Sequence, residues 1–218
     1  AKVAATRSYG ANVILSGDTY DESWKTADLL AQENGYSIIH AFDDPIVIAG
    51  QGTIGLELME DLKDIDIVYL PLGGGGLASG VSIAIKTKRP NVKIIGVESN
   101  QFPAMKKSFD SGKLCHITGG FTIADGISVK SPGELTYEIC SKYLDDVVTV
   151  DDVAIVETMF TLMEREKVVV EPAGAASLAY LVSNGYTKRN ERVIALLSGG
   201  NVDMYLLGQV VAKGLMYM

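Results

Sequence analysis

The sequence predicts an α/β protein, an open and mainly parallel sheet with helices on both faces. Three observations carry that expectation. Short apolar runs of strand length alternate with longer segments of helical periodicity along most of the chain. Two of the strand runs end in glycine-rich turns, as strands do where a parallel sheet opens toward a ligand. With 218 residues, 47% of them hydrophobic and 21% charged, the chain can bury a core without staples.

From the start, Ala11 to Leu15 is expected as a buried strand, and Thr19 opens a helix that Asn34-Gly35 closes as a left-handed cap. Ile38 to Ala41 follows as a strand, which makes a first right-handed crossover unit. A helix is expected from Pro45 to Leu62, a strand from Ile67 to Leu70, a helix from Gly75 to Lys88 and a strand from Val92 to Val97. A less regular stretch reaches Val129, and Ser131 caps a helix from Pro132 to Tyr143. The strand Val147 to Val150 leads into a helix begun by Asp151-Asp152 and running to Lys167. A helix from Ala173 to Asn184, a strand from Val193 to Leu197 and a helix from Asp203 to Lys213 complete the pattern. The acidic turn Asp43-Asp44-Pro45 marks a boundary between residues 1–44 and 45–218, because proline stops a preceding helix.

Composition excludes several functions. With 27 acidic against 19 basic residues and a net charge of −8, the chain lacks the basic face that holds a phosphate backbone, so no nucleic-acid partner is expected. No apolar run approaches the roughly 18 residues of a membrane helix, so no membrane partner is expected either. Cys115 and Cys140 form no CxxC pair and do not cluster with His40 and His116, which argues against a disulfide framework or zinc site. Adjacent Cys115 and His116 would face opposite sides of an extended strand and so make a poor nucleophile-base pair.

The segment Ile67 to Gly80 joins an apolar strand, the run Gly73-Gly74-Gly75-Gly76 and a small-residue helix. Four residues without Cβ let backbone N–H groups approach one point, where the helix N-terminus adds positive potential, so the loop suits a phosphate. A tight turn without ligand is the plainer alternative. A dinucleotide reading also exists, since Gly73, Gly75 and Ala78 fit G-x-G-x-x-G/A and Glu98 ends the next strand where a ribose hydroxyl would be taken. Ser198-Gly199-Gly200-Asn201 forms a second glycine-rich loop after the last strand, on the same edge of a parallel sheet. Backbone donors at one loop and a hydroxyl at the other suit a ligand with a phosphate at one end and a ring heteroatom at the other.

Five segments now give a specific resemblance: Ile48 to Ile54, Gly73 to Leu77, Ala124-Asp125-Gly126, Glu171 to Ala175 and Ser198 to Asn201. In their order and spacing the chain resembles the threonine ammonia-lyase (threonine dehydratase) and serine racemase family of fold type II pyridoxal-phosphate enzymes, with the tryptophan synthase β-like architecture. The resemblance implies pyridoxal 5'-phosphate as cofactor, its phosphate held by Gly73, Gly74, Gly75, Gly76 and Leu77 and its pyridine nitrogen by Ser198. Gly126 and Glu171 match positions beside the ring, although Glu171 also suits a helix start as a carboxylate near the positive dipole end. A serine hydroxyl cannot keep the pyridine nitrogen protonated, so the ring is a weaker electron sink, which suits β-elimination. The implied reaction takes a hydroxy-amino acid, threonine or serine, to a 2-oxo acid and ammonia, with serine racemisation as the alternative.

The family's Schiff-base lysine sits in Ser-x-Lys-x-Arg, followed by a Ser-x-Gly-Asn-His loop. Neither motif occurs here, so the chain is expected to be the C-terminal two-thirds of a catalytic region, inactive alone, with no catalytic residue of its own. Residues 1–44 would then be the remainder of a smaller domain and 45–218 the large cofactor-binding domain. Some relatives hold a divalent cation through a glutamate at the position of Glu98 and an aspartate six residues later. A backbone carbonyl completes that set and Phe102 could supply it here, but Ala104 stands where the aspartate would be, which leaves Glu98 as the one side-chain candidate. A cytoplasmic homo-oligomer, dimer or tetramer, in amino-acid metabolism such as isoleucine biosynthesis completes what the resemblance implies.

Overall fold

A computed structural model describes residues 2–17, 20–185 and 190–215. The chain divides into two compact units, residues 1–40 and 41–218. The first holds α1 (Lys2–Ser8) and α2 (Tyr20–Asn34). Thr19, the expected start of α2, lies outside the described residues. Trp24 packs edge-on against His40 with ring centroids 4.4 Å apart, and Ser16 and Thr26 share a hydroxyl hydrogen bond of 2.6 Å.

The two strands expected before residue 45 are absent. Residues 11–15 and 38–41 are irregular, and Leu15 and Ile39 are 67% and 82% exposed. An apolar run becomes a strand only when a neighbour completes its ladder. Neither run pairs with a described strand, so the first crossover unit does not form.

The second unit carries α3 (Pro45–Asp61), β1 (Ile67–Pro71), α4 (Gly76–Lys88), β2 (Lys93–Ser99), α5 (Ala104–Ser111), α6 (Glu134–Tyr143), β3 (Asp146–Val150), α7 (Asp152–Thr161), α8 (Pro172–Ser183), β4 (Val193–Ala195) and α9 (Met204–Leu215). The strand order is β3-β2-β1-β4 and every described pairing is parallel. Along β1, Ile67 and Tyr69 join a core with Ile155 and Met159 of α7 and Ala175, Ala176 and Ala179 of α8, while Val68 and Leu70 join one with Val81 and Ile85 of α4 and Met105 of α5. That alternation is the period of two of a strand buried on both faces. From β1 the chain builds outward through β2 to β3, then returns to place β4 on the other side of β1. The sheet therefore reverses its winding at β1, and the loops after β1 and β4 leave the same edge side by side.

Local differences from expectation have local causes. The irregular stretch contains α5, introduced by Pro103 and closed by Gly112 at φ 69°. The helix expected to reach Lys167 ends as regular α-helix at Thr161 and continues as a π-helical turn, Leu162–Glu166, closed by Lys167 at φ 60°. Ser131 does not cap α6; its hydroxyl donates to Pro132 O, and Gly133 takes the cap position. The free amide of Thr136 instead finds Asp43 Oδ1 at 2.9 Å, from far back in the sequence.

Candidate active site

The glycine run occupies the turn between β1 and α4. Leu72 N–H extends the ladder to Val97 O at 2.9 Å, after which the chain leaves the sheet. Gly75 caps α4 at φ 98°, a conformation open to glycine and strained for any L side chain. A Cβ on Gly73 would stand 2.9 Å from Ile127 Cα, on Gly74 2.3 Å from the Phe42 ring, and on Gly76 3.0 Å from the Phe42 backbone. Packing thus explains the absence of side chains but leaves the donors unused. Gly74, Gly75 and Gly76 are buried, yet among the described residues no hydrogen-bond acceptor meets the N–H groups from Gly73 to Leu77. Buried amides nearly always find partners, and a row of them at a helix N-terminus fits an anion. The cradle therefore fits a phosphate group.

Contacts then lead from this loop to the second one. The imagined Cβ of Gly73 lies 3.3 Å from Gly126 O; that of Gly126 lies 2.9 Å from Ala173 Cβ and 3.4 Å from Glu171 Oε1; that of Gly199 lies 2.6 Å from the same Glu171 oxygen. Glu171 N–H also donates to Gly199 O at 2.8 Å, and a Cβ on Gly174 would stand 2.7 Å from Gly199 N. The loop after β1, the Asp125–Ile127 3-10 turn, the start of α8 and the loop after β4 thus touch in sequence. Ser198 precedes Gly199 in that last loop and is exposed. Its position follows from β4, where Leu196 N–H still bonds Tyr69 O at 2.9 Å, so Ser198 leaves the sheet beside the glycine run. Glu171 stands at the cap of α8, but its side chain makes no cap hydrogen bond and packs against Gly126 and Gly199.

Residues that sequence reasoning missed hold these loops. Asp152, in the first turn of α7, accepts from Thr122 Oγ1 at 2.6 Å and from Ile123 N at 2.9 Å, and Ala124 N donates to Thr122 Oγ1 at 3.1 Å. The turn carrying Gly126 is thereby tied to α7. Thr136 Oγ1 donates to Gly74 O at 2.7 Å, and Phe42 covers Gly74 and Gly76. Behind the glycine run Cys140 is fully enclosed, its thiol pushed up to about 12 by burial, which makes it an inert packing group. The partners in each case are distant in sequence, and no local pattern announces them.

Glu98, at the end of β2, turns its carboxyl to a helix. Its two oxygens accept the N–H groups of Met105 and Lys106, each at 2.8 Å, so the carboxyl caps α5 from inside the protein rather than meeting a ribose. Among the described residues no group of three or more His, Cys, Asp or Glu could hold a metal ion. Burial raises Glu98 from 4.5 to about 8, against the lowering effect of its two backbone bonds and of Lys106. The folded protein thus keeps that proton to higher pH than the unfolded chain does. Between pH 4.5 and about 8 the group's contribution to stability falls as pH rises. In Glu98→Gln, the fall in thermal midpoint across that window should be shallower than in the wild type; an equal slope would mean that Glu98 does not titrate between those two values.

The chain's likenesses agree with this arrangement. The family profile for pyridoxal-phosphate dependent enzymes matches residues 1–199. An L-threonine ammonia-lyase of Thermotoga maritima is 45% identical over 214 residues, covering 98% of this chain and 53% of that protein, so the chain spans about half the length of this relative. The processed form of threonine deaminase isoform 2 from Solanum lycopersicum superposes with a TM-score of 0.91 at 36% identity, over 99% of this chain and 60% of the other. Maize serine racemase superposes with a TM-score of 0.87 at 34% identity, over 99% and 67%. A parallel sheet whose two glycine loops meet at the point of reversed winding, matched along nearly its whole length, makes this chain a member of the pyridoxal-phosphate dependent enzyme family.

Proposed function

We propose that the whole protein containing this chain is a pyridoxal 5'-phosphate-dependent ammonia-lyase that converts threonine, and serine, to the 2-oxo acid and ammonia. The observation that carries the reading is the unbroken contact from Gly73 through Gly126 and Glu171 to Gly199, which links a row of unmatched amides to the loop of Ser198. The relatives named above supply the reaction class and its hydroxy-amino acid substrates.

In this reading Gly73, Gly74, Gly75, Gly76 and Leu77 donate backbone N–H groups to the cofactor phosphate, helped by the positive end of α4. Ser198 Oγ meets the pyridine nitrogen as a neutral partner and leaves that nitrogen without a proton. Gly126 lets the ring lie close to the 3-10 turn, and Glu171 fixes the loop that carries Ser198. When bound, the cofactor supplies an electron sink for loss of the α-proton and the β-hydroxyl. The lysine and the loop that would meet the substrate carboxylate belong to parts of the family pattern that this sequence does not contain, so this chain's own residues bind and orient. Residues 45–218 are the cofactor-binding domain and residues 1–44 belong to a smaller one, in a cytoplasmic homo-oligomer. Among the described residues no helix is long and apolar enough to cross a membrane.

The full-length protein is expected to release 2-oxobutyrate from L-threonine only when loaded with pyridoxal 5'-phosphate. No 2-oxo acid from either threonine or serine would overturn the reading. The likeness to serine racemase gives the second reading its support. Appearance of D-serine from L-serine at a rate above that of pyruvate would favour it.

A further inference from the structure

We infer that Thr136 is a positioning residue for the glycine cradle: its hydroxyl holds the Gly74 carbonyl against α6 and so aims the Gly75 N–H at the bound phosphate. The inference rests on the phosphate reading of the loop and adds to it the group that orients the donors.

In a trans peptide the carbonyl of one residue and the N–H of the next point in opposite directions. Thr136 Oγ1 lies 2.7 Å from Gly74 O, so the Gly75 N–H on the same plane turns away from α6. The next plane is set in the same manner: Gly75 O accepts Ser79 N–H at 2.8 Å, which turns the Gly76 N–H off the end of α4. Glycines have no side chain with which to fix their planes, and Gly75 at φ 98° has the whole left-handed region available. A loop of four such residues keeps one orientation only if something outside it holds the carbonyls.

Thr136 is itself firmly placed. It is fully buried, its N–H is held by Asp43 Oδ1 at 2.9 Å, and among the described residues its one competing acceptor is Gly133 O at 3.3 Å, a longer contact than that to Gly74. A Cβ on Gly75 would meet Thr136 Cβ at 2.8 Å, so threonine also sets the depth to which the loop sinks. Thr136 does not touch the anion; it acts through the peptide plane.

The test compares pyridoxal 5'-phosphate with pyridoxal, which lacks the phosphate, by titration of the full-length apoprotein. Thr136→Val removes the hydroxyl at nearly constant volume. Its affinity for pyridoxal 5'-phosphate should fall about ten-fold, with that for pyridoxal unchanged, because one hydrogen bond that orients a charged contact is lost. Thr136→Ser, which keeps the hydroxyl, should restore the wild-type preference to within about two-fold. Equal weakening toward both ligands, or no change toward either, would overturn the role of Thr136 while the wild-type preference for the phosphate stands. A wild type that binds both ligands equally would instead overturn the phosphate cradle, and this inference with it. Should Thr136→Val fail to fold, Thr136→Cys, with its weaker S–H donor, carries the test with the same outcomes.

Discussion

Gly80→Ala should lower the thermal midpoint of the protein by roughly 6 to 12 °C, the shift expected of about 3 kcal/mol in a domain of this size. The cause lies where α3 crosses α4. A Cβ on Gly80 would stand 2.2 Å from Ile48 O and 2.6 Å from Gly52 N, backbone atoms that cannot turn aside as a side chain can. From the other side, a Cβ on Gly52 or Gly55 of α3 would stand 3.2 Å from Gly80 O or 2.9 Å from Val81 O respectively. The two helices therefore meet backbone to backbone, and α4 is the helix whose N-terminus faces the cradle. A methyl group between them must push α4 outward. The same substitution at Gly50, in α3 but exposed with nothing within 4 Å, supplies the control. There alanine should raise stability by about 0.5 to 1 kcal/mol, the ordinary gain of replacing a helix glycine. Equal effects at the two sites would mean that the close crossing has no energetic weight.

The second large effect is expected at Gly75. Alanine there must either keep φ 98°, which costs an L residue about 1 to 2 kcal/mol, or abandon it and turn the cradle amides. It also drives a Cβ to 2.8 Å from Thr136 Cβ and 3.0 Å from Met105 Cε. Together these should reduce affinity for pyridoxal 5'-phosphate on the order of 100-fold, as strain near 3 kcal/mol requires. Gly112→Ala separates the two contributions, since Gly112 has φ 69° but nothing within 4 Å of its imagined Cβ. That variant should lose about 1 kcal/mol of stability and keep its cofactor affinity. An unchanged affinity in Gly75→Ala would show that the left-handed turn has no part in binding.

Where the signal was local, the sequence disclosed the structure. The strand Ile67–Pro71, the glycine run and the helix Gly76–Lys88 stand in one continuous stretch, and apolar residues on both phases of β1 mark a strand covered on both faces. Ala11 to Leu15 and Ile38 to Ala41 carry the same apolar signal without the neighbours that make a strand, and they remain irregular. Helix α5 has the reverse history. Its eight residues are short and largely polar, and its markers, Pro103 before and Gly112 after, are legible only as punctuation. Glu98 at a strand end looked available for a ligand. Nothing in the sequence reveals that the chain folds α5 onto both of its oxygens seven and eight residues later.

The site divides along the same line. Gly73 to Leu77 and Ser198 were readable from the residues, because glycine-rich and polar loops at strand ends stand out, whereas Gly126 and Glu171 were marked only by the family resemblance. Their supports were not. Asp43 caps a helix 93 residues away, Asp152 ties down a turn 29 and 30 residues before it, and Thr136 holds a carbonyl 62 residues before it. Such bonds depend on tertiary packing, and any Asp or Thr in a loop has the same local appearance.

The most direct measurement is a structure of the full-length protein loaded with pyridoxal 5'-phosphate. Phosphate oxygens are expected within hydrogen-bond distance of N–H groups between Gly73 and Leu77, with the pyridine nitrogen meeting Ser198 Oγ. A cofactor whose phosphate lies at another loop, or whose ring nitrogen faces a group other than Ser198, would overturn the glycine cradle and the role of Ser198.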